Sequence, residues 1–453
     1  MNGKTLTWSD NPAARTRKRL ALLVAVVALI AATVGLPGTA AHASAQPHSS
    51  GVTLTIPVVA PFTGVDAALG PIYETACLAA TQQINADGGV LGHQINCKTV
   101  DTRGDPADAV PAVGQMYATT KNIAFVIGCT SDEASTVVPV FGSNKTVSFC
   151  MTGESEFDAV KFPYFFRLVP PDAADAVAMV AIAKNKGYKK IALAFGNDAG
   201  SQTFVAPAEA AIAKAGNMTI VSNQTLDINA TTFQSEAQAI VAAKPQAIMM
   251  EALGAAGVAL LSEVYQLNGK KMIPIIGTSA MIDPTFFAGI TKAVGLQNFI
   301  KNFDADNQVS TGNTPAYPLF SKLVMAQAGK VKGIGNVATL LQAPGMVHLY
   351  DAINIAALAM VMSGSTSGSV YKNDILTITA GAPGATVVSS YTAGVAALKA
   401  HKKIQYLGVG GTYHFDAFHT SFGAFEDMHY TAAGTTVNAG TLNAALLNSL
   451  KAF

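Results

Sequence analysis

Val52 to Ala60 (VTLTIPVVA), Gly70-Pro71, Asp87-Gly88-Gly89 and His93 to Val100 (HQINCKTV) set the fold. The first run is a short, nearly continuous apolar strand. Gly70-Pro71 then opens a helix with proline at the first helical position, where its missing N–H costs nothing. Asp87-Gly88-Gly89 stops that helix, because glycine accepts the left-handed conformation that ends one. His93 to Val100 is the next strand, and Asp105-Pro106 caps and starts the next helix. Ile123 to Gly128 and Thr146 to Cys150 follow as further short apolar strands. Such strands alternating with helices indicate a parallel sheet covered on both faces. Pro57 conflicts with this locally, since proline cannot donate to a central ladder; a bulge or a later strand start is required.

The pattern restarts after Pro170-Pro171-Asp172, a breaker and a cap. A helix runs to about Asn185, and strands follow at Lys190 to Phe195, Thr219 to Asn223, Gln246 to Met250 and Ile273 to Ile276. Residues 300–345 are richer in turn residues. His348 to Val361 is a strongly apolar helix, and Tyr406 to Tyr430 has the look of β-structure closing the fold. The expectation is an α/β protein with two Rossmann-like lobes, which suits a chain of 453 residues.

Half the residues are hydrophobic and 13% are charged, which excludes general disorder. Residues 1–45 hold five of the 29 Lys and Arg and one of the 28 Asp and Glu, leaving 24 bases against 27 acids in the rest. No basic or basic–aromatic stripe follows, so no nucleic-acid partner is expected. Arg15, Arg17, Lys18 and Arg19 precede an apolar stretch, Leu20 to Val34. Gly35 and Pro37 interrupt it before the small-x-small sites Ala41-His42-Ala43 and Ala43-Ser44-Ala45. Residues 1–45 therefore read as a secretory signal peptide, and the mature protein as extracytoplasmic. An uncleaved anchor is the other reading. No cysteine lies near the cleavage site to carry a lipid. An exported chain can keep disulfides. Cys77 sits in a helix and Cys97 in the next strand, while Cys129 and Cys150 end successive strands, so the expected pairs are Cys77–Cys97 and Cys129–Cys150; four free thiols are the alternative.

Further residues carry a family likeness. Ala60-Pro61-Phe62-Thr63-Gly64, Asn85 to Gly92, Asp101 to Pro106 and Phe125 to Ser131 occur in that order. Phe165-Phe166-Arg167, Gly196-Asn197-Asp198, Leu349 to Ala352 and Phe415-Asp416 follow. On these the chain resembles the type I periplasmic solute-binding proteins of ABC transporters, the branched-chain amino acid-binding kind. The resemblance implies two Rossmann-like lobes with parallel sheets, joined by three hinge crossovers. Lobe one would comprise residues 51–168 plus 303–402, and lobe two 169–302 plus 403–453. A ligand would sit between them, closure would be a hinge motion, and a membrane permease would receive the solute from a monomeric carrier without a cofactor.

Ligands of open α/β sheets bind beyond the carboxyl ends of the strands. The candidate residues there are Thr63 and Asp66 after the first strand, Thr130 and Ser131 after the third, and Thr152 and Gly153 after the fourth. Hydroxyls and free N–H groups at a helix N-terminus suit a carboxylate, and the resemblance implies the same role for Ser131 and Thr152. Asp132, Glu133, Glu154 and Glu156 flank them; facing the cleft, they would oppose an anion and favour an amine. The second lobe would contribute Asn197, Asp198, Ser201, Glu251, Gly254, Thr278 and Ser279, with Asp198 or Glu251 holding an ammonium group. The sequence departs from amino acid binders in placing Leu69 where an aromatic often covers the ligand, and in lacking the aromatic expected in the Asn197–Phe204 loop. Phe287, Tyr317 and Tyr350 are the candidates to compensate.

No G-x-S-x-G, H-E-x-x-H or G-x-x-x-x-G-K-[ST] occurs, and His414 and His419 lack metal-ligand spacing on one helix face. The expectation is a binding protein and not an enzyme. A sensory module signalling to a membrane receptor is the alternative, and a hydrolase on a similar scaffold a more distant one.

Overall fold

A computed structural model describes residues 51–64, 66–159, 161–308, 314–421 and 423–451. The expected signal peptide at 1–45 lies outside them. The first sheet is built from β1 (Leu54–Ala60), β2 (Ile95–Asp101), β3 (Val126–Thr130), β4 (Ser148–Met151) and β5 (Phe165–Arg167), in the order β2-β1-β3-β4-β5, all parallel. β1 is buried along its whole length, as a strand covered on both faces must be.

Pro57 sits in β1 opposite Lys98 of β2. Thr55 donates to Asn122 and accepts from Ala124, so its backbone faces β3, as does that of Pro57 two residues on. Thr55 pairs with Ile123 but Val58 pairs with Ile127, so the β3 side carries one extra residue across this stretch. The ladder is interrupted where proline has no donor.

The second sheet contains β6 (Lys190–Gly196), β7 (Thr219–Leu226), β8 (Ala247–Glu251), β9 (Ile275–Gly277) and β10 (Phe303–Asn307). Their order, β7-β6-β8-β9-β10, repeats the 2-1-3-4-5 order of the first sheet. β11 (Thr386–Val388), β12 (Ile404–Gly408) and β13 (Gly411–Thr412) make a separate small sheet. β14 (Glu426–Tyr430) then adds antiparallel to β10, and β15 (Thr436–Thr441) to β14. The α/β architecture with parallel-dominated sheets is as read from the sequence.

Two segments lie on the other side of the expected lobe boundaries. β10 (FDADN), assigned to lobe one from residue 303, pairs with β9 in the second sheet. Residues 404–413, assigned to lobe two, pack on the first: Ile404, Tyr406, Val409 and Tyr413 belong to the apolar core around β1. Their anchor is Asp351, fully buried on the helix Pro344–Ser363. It accepts from the Tyr406 and Tyr413 hydroxyls at 2.9 and 2.7 Å and from the N–H groups of Val409 and Gly410 at 3.0 and 2.8 Å. That helix is long and apolar enough to cross a membrane, yet 16 of its residues are buried in this core.

Both expected disulfides are present. Cys77–Cys97 ties the helix Leu69–Ala86 to β2, with Cα atoms 6.1 Å apart. Cys129–Cys150 joins the ends of β3 and β4 at 4.8 Å. The β5 end and the 414–421 segment run together: Arg167 N–H donates to the His419 carbonyl, Ser421 N–H to the Arg167 carbonyl, and Phe166 stacks on His419 at 4.5 Å.

Candidate ligand-binding cleft

The first strand of each parallel set is flanked by the second and third, so the order reverses beside β1 and beside β6. Loops leaving neighbouring strands there diverge and open a crevice. A cavity of ≈ 140 Å³ lies where the two crevices face each other. From the first sheet it receives Asp66 after β1, Thr130, Ser131 and Asp132 at the end of β3, and Met151 and Gly153 after β4. From the second come Asp198 and Gly200 after β6, Glu251 at the end of β8, and Ser279 and Asp283 after β9. Leu69, Ile72, Tyr73 and Phe204 supply apolar wall. An outer mouth continues past Arg103, Asp105 and Asn197.

Seven of the expected residues thus line the cavity: Asp66, Thr130, Ser131, Gly153, Asp198, Glu251 and Ser279. Asn197 lines only the mouth, and its Oδ1 accepts from Ile228 N–H at 3.1 Å. Thr63, Thr152, Ser201, Gly254 and Thr278 line neither. The Thr63 hydroxyl donates to Asp101 at 2.7 Å. Thr152 is fully buried and accepts from Ser131 at 3.2 Å and from Glu154 N–H at 3.3 Å. Ser201 and Thr278 both donate to Glu251 from behind, and Gly254 starts a helix in the left-handed region. These hydroxyls hold the framework of the site.

Two expectations about ring side chains change. Phe204 lines the cavity, so the loop after Asn197 does deliver an aromatic. Phe287 packs on Phe299 and Tyr430, while Tyr317 and Tyr350 pack on Phe320; none of the three reaches the cavity. Leu69 does line it, as anticipated.

Asp172, Asp175 and Asp283 were not anticipated. Asp172 and Asp175 occupy the first turn of the helix Asp172–Asn185, whose N-terminus points at the cleft. Gly153 makes this approach possible: its carbonyl accepts from Asp172 N–H at 2.8 Å, and a Cβ at residue 153 would collide with the Asp172 carboxylate. Asp172 in turn accepts from the Thr203 hydroxyl. Asp283 caps the helix Pro284–Val294 through the N–H groups of Thr285 and Phe286.

The electrostatics are one-sided. Among the described residues, no Lys, Arg or His lines the cavity. Burial, reinforced by neighbouring Asp132, pushes Asp66 up to about 8. Asp132 is raised by burial and then by Asp198. Burial takes Asp172 to about 7 and raises Glu251 and Asp175 well above the carboxylate range, with Asp198 adding to Glu251 and Asp306 adding to Asp175. Glu133, behind the wall, accepts the Thr130 N–H at 3.1 Å and its hydroxyl at 2.5 Å; burial brings it to about 7. Arg167, which acts on Asp172, is wholly buried and engaged with Asp158, the Glu154 carbonyl and Thr420. A cavity so lined favours positive charge.

Residues 53–308 match the family model described as periplasmic binding protein. Among curated proteins, a Leu/Ile/Val-binding protein of Rhizobium johnstonii, BraC3, is 27% identical over 292 residues, covering 63% of this chain and 77% of the relative. Among solved structures, the substrate-binding protein LivJ of the Streptococcus pneumoniae branched-chain amino acid transporter, in complex with isoleucine, superposes with a TM-score of 0.65 at 16% identity, over 85% of this chain and 99% of its own. An ABC transporter solute-binding protein of R. palustris in complex with benzoate gives 0.66 at 17% identity, over 86% and 96%. At these identities the structural likenesses concern the fold.

Proposed function

The chain belongs to the periplasmic binding protein family, and from that premise we propose that it captures a small polar solute outside the cytoplasm and delivers it to the permease of an ABC transporter. The observation that carries this reading is the cavity itself, which opens at the carboxyl ends of two parallel sheets that share one strand order. Lining from both sheets means that a bound solute bridges them and favours the closed arrangement over an open one. Polar groups fixed in an apolar surround are what orientation and selection of a small ligand need. The relatives are substrate-binding proteins, which supports binding and not turnover as the reading. The relatives and structural neighbours include binders of branched-chain amino acids and of benzoate and hydroxylated benzoates; this chain would share their mode of capture.

A thermal-shift screen of the purified protein against amino acids, amides, amines and small carboxylates tests this. A ligand at 100 times its Kd adds about 2.7 kcal/mol to the native state. A shift confined to one chemical class, with the ligand recovered unchanged, is the expected result. Progressive loss of ligand mass would point to catalysis, and no shift with any class would count against solute capture.

A further inference from the structure

The cavity's acids fall into two sets. Asp66, Asp132 and Asp198 line both the cavity and its outer mouth. Asp172, Asp175, Glu251 and Asp283 line the cavity alone, Asp283 being taken up by its helix cap, with apolar wall from Leu69, Ile72 and Phe204. A ligand carboxylate would meet these groups with no cation to receive it. Two of the hydroxyls that would serve it are committed: Thr130 donates to Glu133 and Ser131 to Thr152. Arg103 at the mouth faces Asp108 at 3.7 Å, and Arg167 is occupied behind the wall.

A second observation points to a ligand independently. Tyr73 lines the cavity and is only 4% exposed, yet its hydroxyl has no hydrogen-bond partner among the described residues. Because the residue lines the cavity, its hydroxyl is a natural contact for a guest. A cavity of about 150 Å³ accommodates a molecule of roughly benzene's size. That limits the guest to a short chain.

We propose that the cavity takes a short aliphatic diamine, with one ammonium among Asp66, Asp132 and Asp198 and the other among Asp172, Asp175 and Glu251. This rests on the solute-binding reading above and names its substrate class. The apolar wall covers the methylenes between the charges, and the Tyr73 hydroxyl accepts from an ammonium. The site selects against amino acids by leaving their carboxylate unpaired amid acids.

Isothermal titration of the full protein with 1,4-diaminobutane, 1-aminobutane, isoleucine, benzoate and calcium chloride decides the matter. The diamine is expected to bind at least 100-fold tighter than the monoamine, with no heat from isoleucine or benzoate. Asp175→Asn, and separately Asp66→Asn, should each erase most of that advantage while circular dichroism stays unchanged. Isoleucine or benzoate binding without the diamine overturns the diamine assignment and leaves solute capture standing. Calcium binding alone, or diamine binding indifferent to both substitutions, also overturns it. Silence toward every probe removes both readings.

Discussion

Gly200 donates its backbone N–H to the Asp132 carboxylate at 3.2 Å, directly across the cleft. Asp132 stands in the first turn of the helix Ser131–Ser143 on the first sheet's side, and Gly200 in the short turn after β6 on the second. A Cβ added to Gly200 would lie 3.3 Å from that of Ser131, so the rims already touch. In this structure the hydrogen bond joins the two rims. Hydrogen bonds to charged groups contribute about 1.5–3 kcal/mol. Asp132→Ala should therefore shift the closed–open balance toward open by about tenfold or more. Small-angle scattering would show a larger radius of gyration than in the parent protein; an identical curve would mean the bond contributes nothing.

Gly153 has no room for a side chain, since Asp172 occupies the space a Cβ would take. Gly153→Ala must push the β4 loop away from the helix Asp172–Asn185 or break the 2.8 Å bond between them. Overpacking of this kind costs about 1–3 kcal/mol. The expected result is a lower Tm together with weaker solute binding. Full affinity in Gly153→Ala would show that the loop can retreat without disturbing the cavity.

Much of this site was legible in the sequence, for a physical reason. Short apolar strands between Gly and Pro breakers announce a parallel sheet, and the loops after such strands are where ligands bind, which singles out Asp66, Ser131, Asp198, Glu251 and Ser279. Side-chain direction was not legible. Thr152 and Thr278 are in the expected loops but turn their hydroxyls inward to hold Glu154 N–H and Glu251. Asp172 and Asp175 resemble ordinary first-turn acids that complement the helix dipole. Tyr73 resembles a core position. β10 was missed because FDADN alternates apolar and acidic residues, and its acids are buried only through tertiary contacts: Asp306 against Asp175, and Asp304 with Lys186 and His429.

The crowded acids predict how the empty protein responds to pH. Asp66 faces Asp132, Glu133, Asp198 and Tyr73, and its folded value of about 8 lies above the ordinary 3.8. The native state therefore binds more protons than the unfolded chain between about pH 4 and 8. Stability conferred by this group is complete below the lower value and lost as pH rises through the upper one. Asp66→Asn should raise Tm by about 2–4 °C at pH 8 and leave it nearly unchanged at pH 4. His429, raised to about 9 by Asp304 and Asp427, also weakens the fold as pH climbs, but it does so in both proteins and cancels in the comparison. A Tm difference of the same size at both pH values would refute this account.

Asp351 is the buried tie between the first core and the returning chain, and it supports a sharp test. Burial raises it to about 6, and its four donors from Tyr406, Val409, Gly410 and Tyr413 oppose that rise. At neutral pH it is largely ionised and fully engaged. Gly408 packs so tightly on the carboxylate that no Cβ fits there. Asp351→Ala leaves four donors without an acceptor, each costing about 1–3 kcal/mol where water cannot reach. Relaxation of residues 404–413 should recover part of that, so a net loss of about 3–5 kcal/mol is expected, as for a broken buried charge pair. Asp351→Asn keeps one acceptor oxygen and should lose less. Hydrogen exchange should accelerate at residues 404–413 in both variants, more in alanine than in asparagine, while β6 to β9 keep their protection. If β6 to β9 exchange faster to the same degree, the two sheets unfold as one cooperative unit and Asp351 is a determinant of global stability, not a local tie.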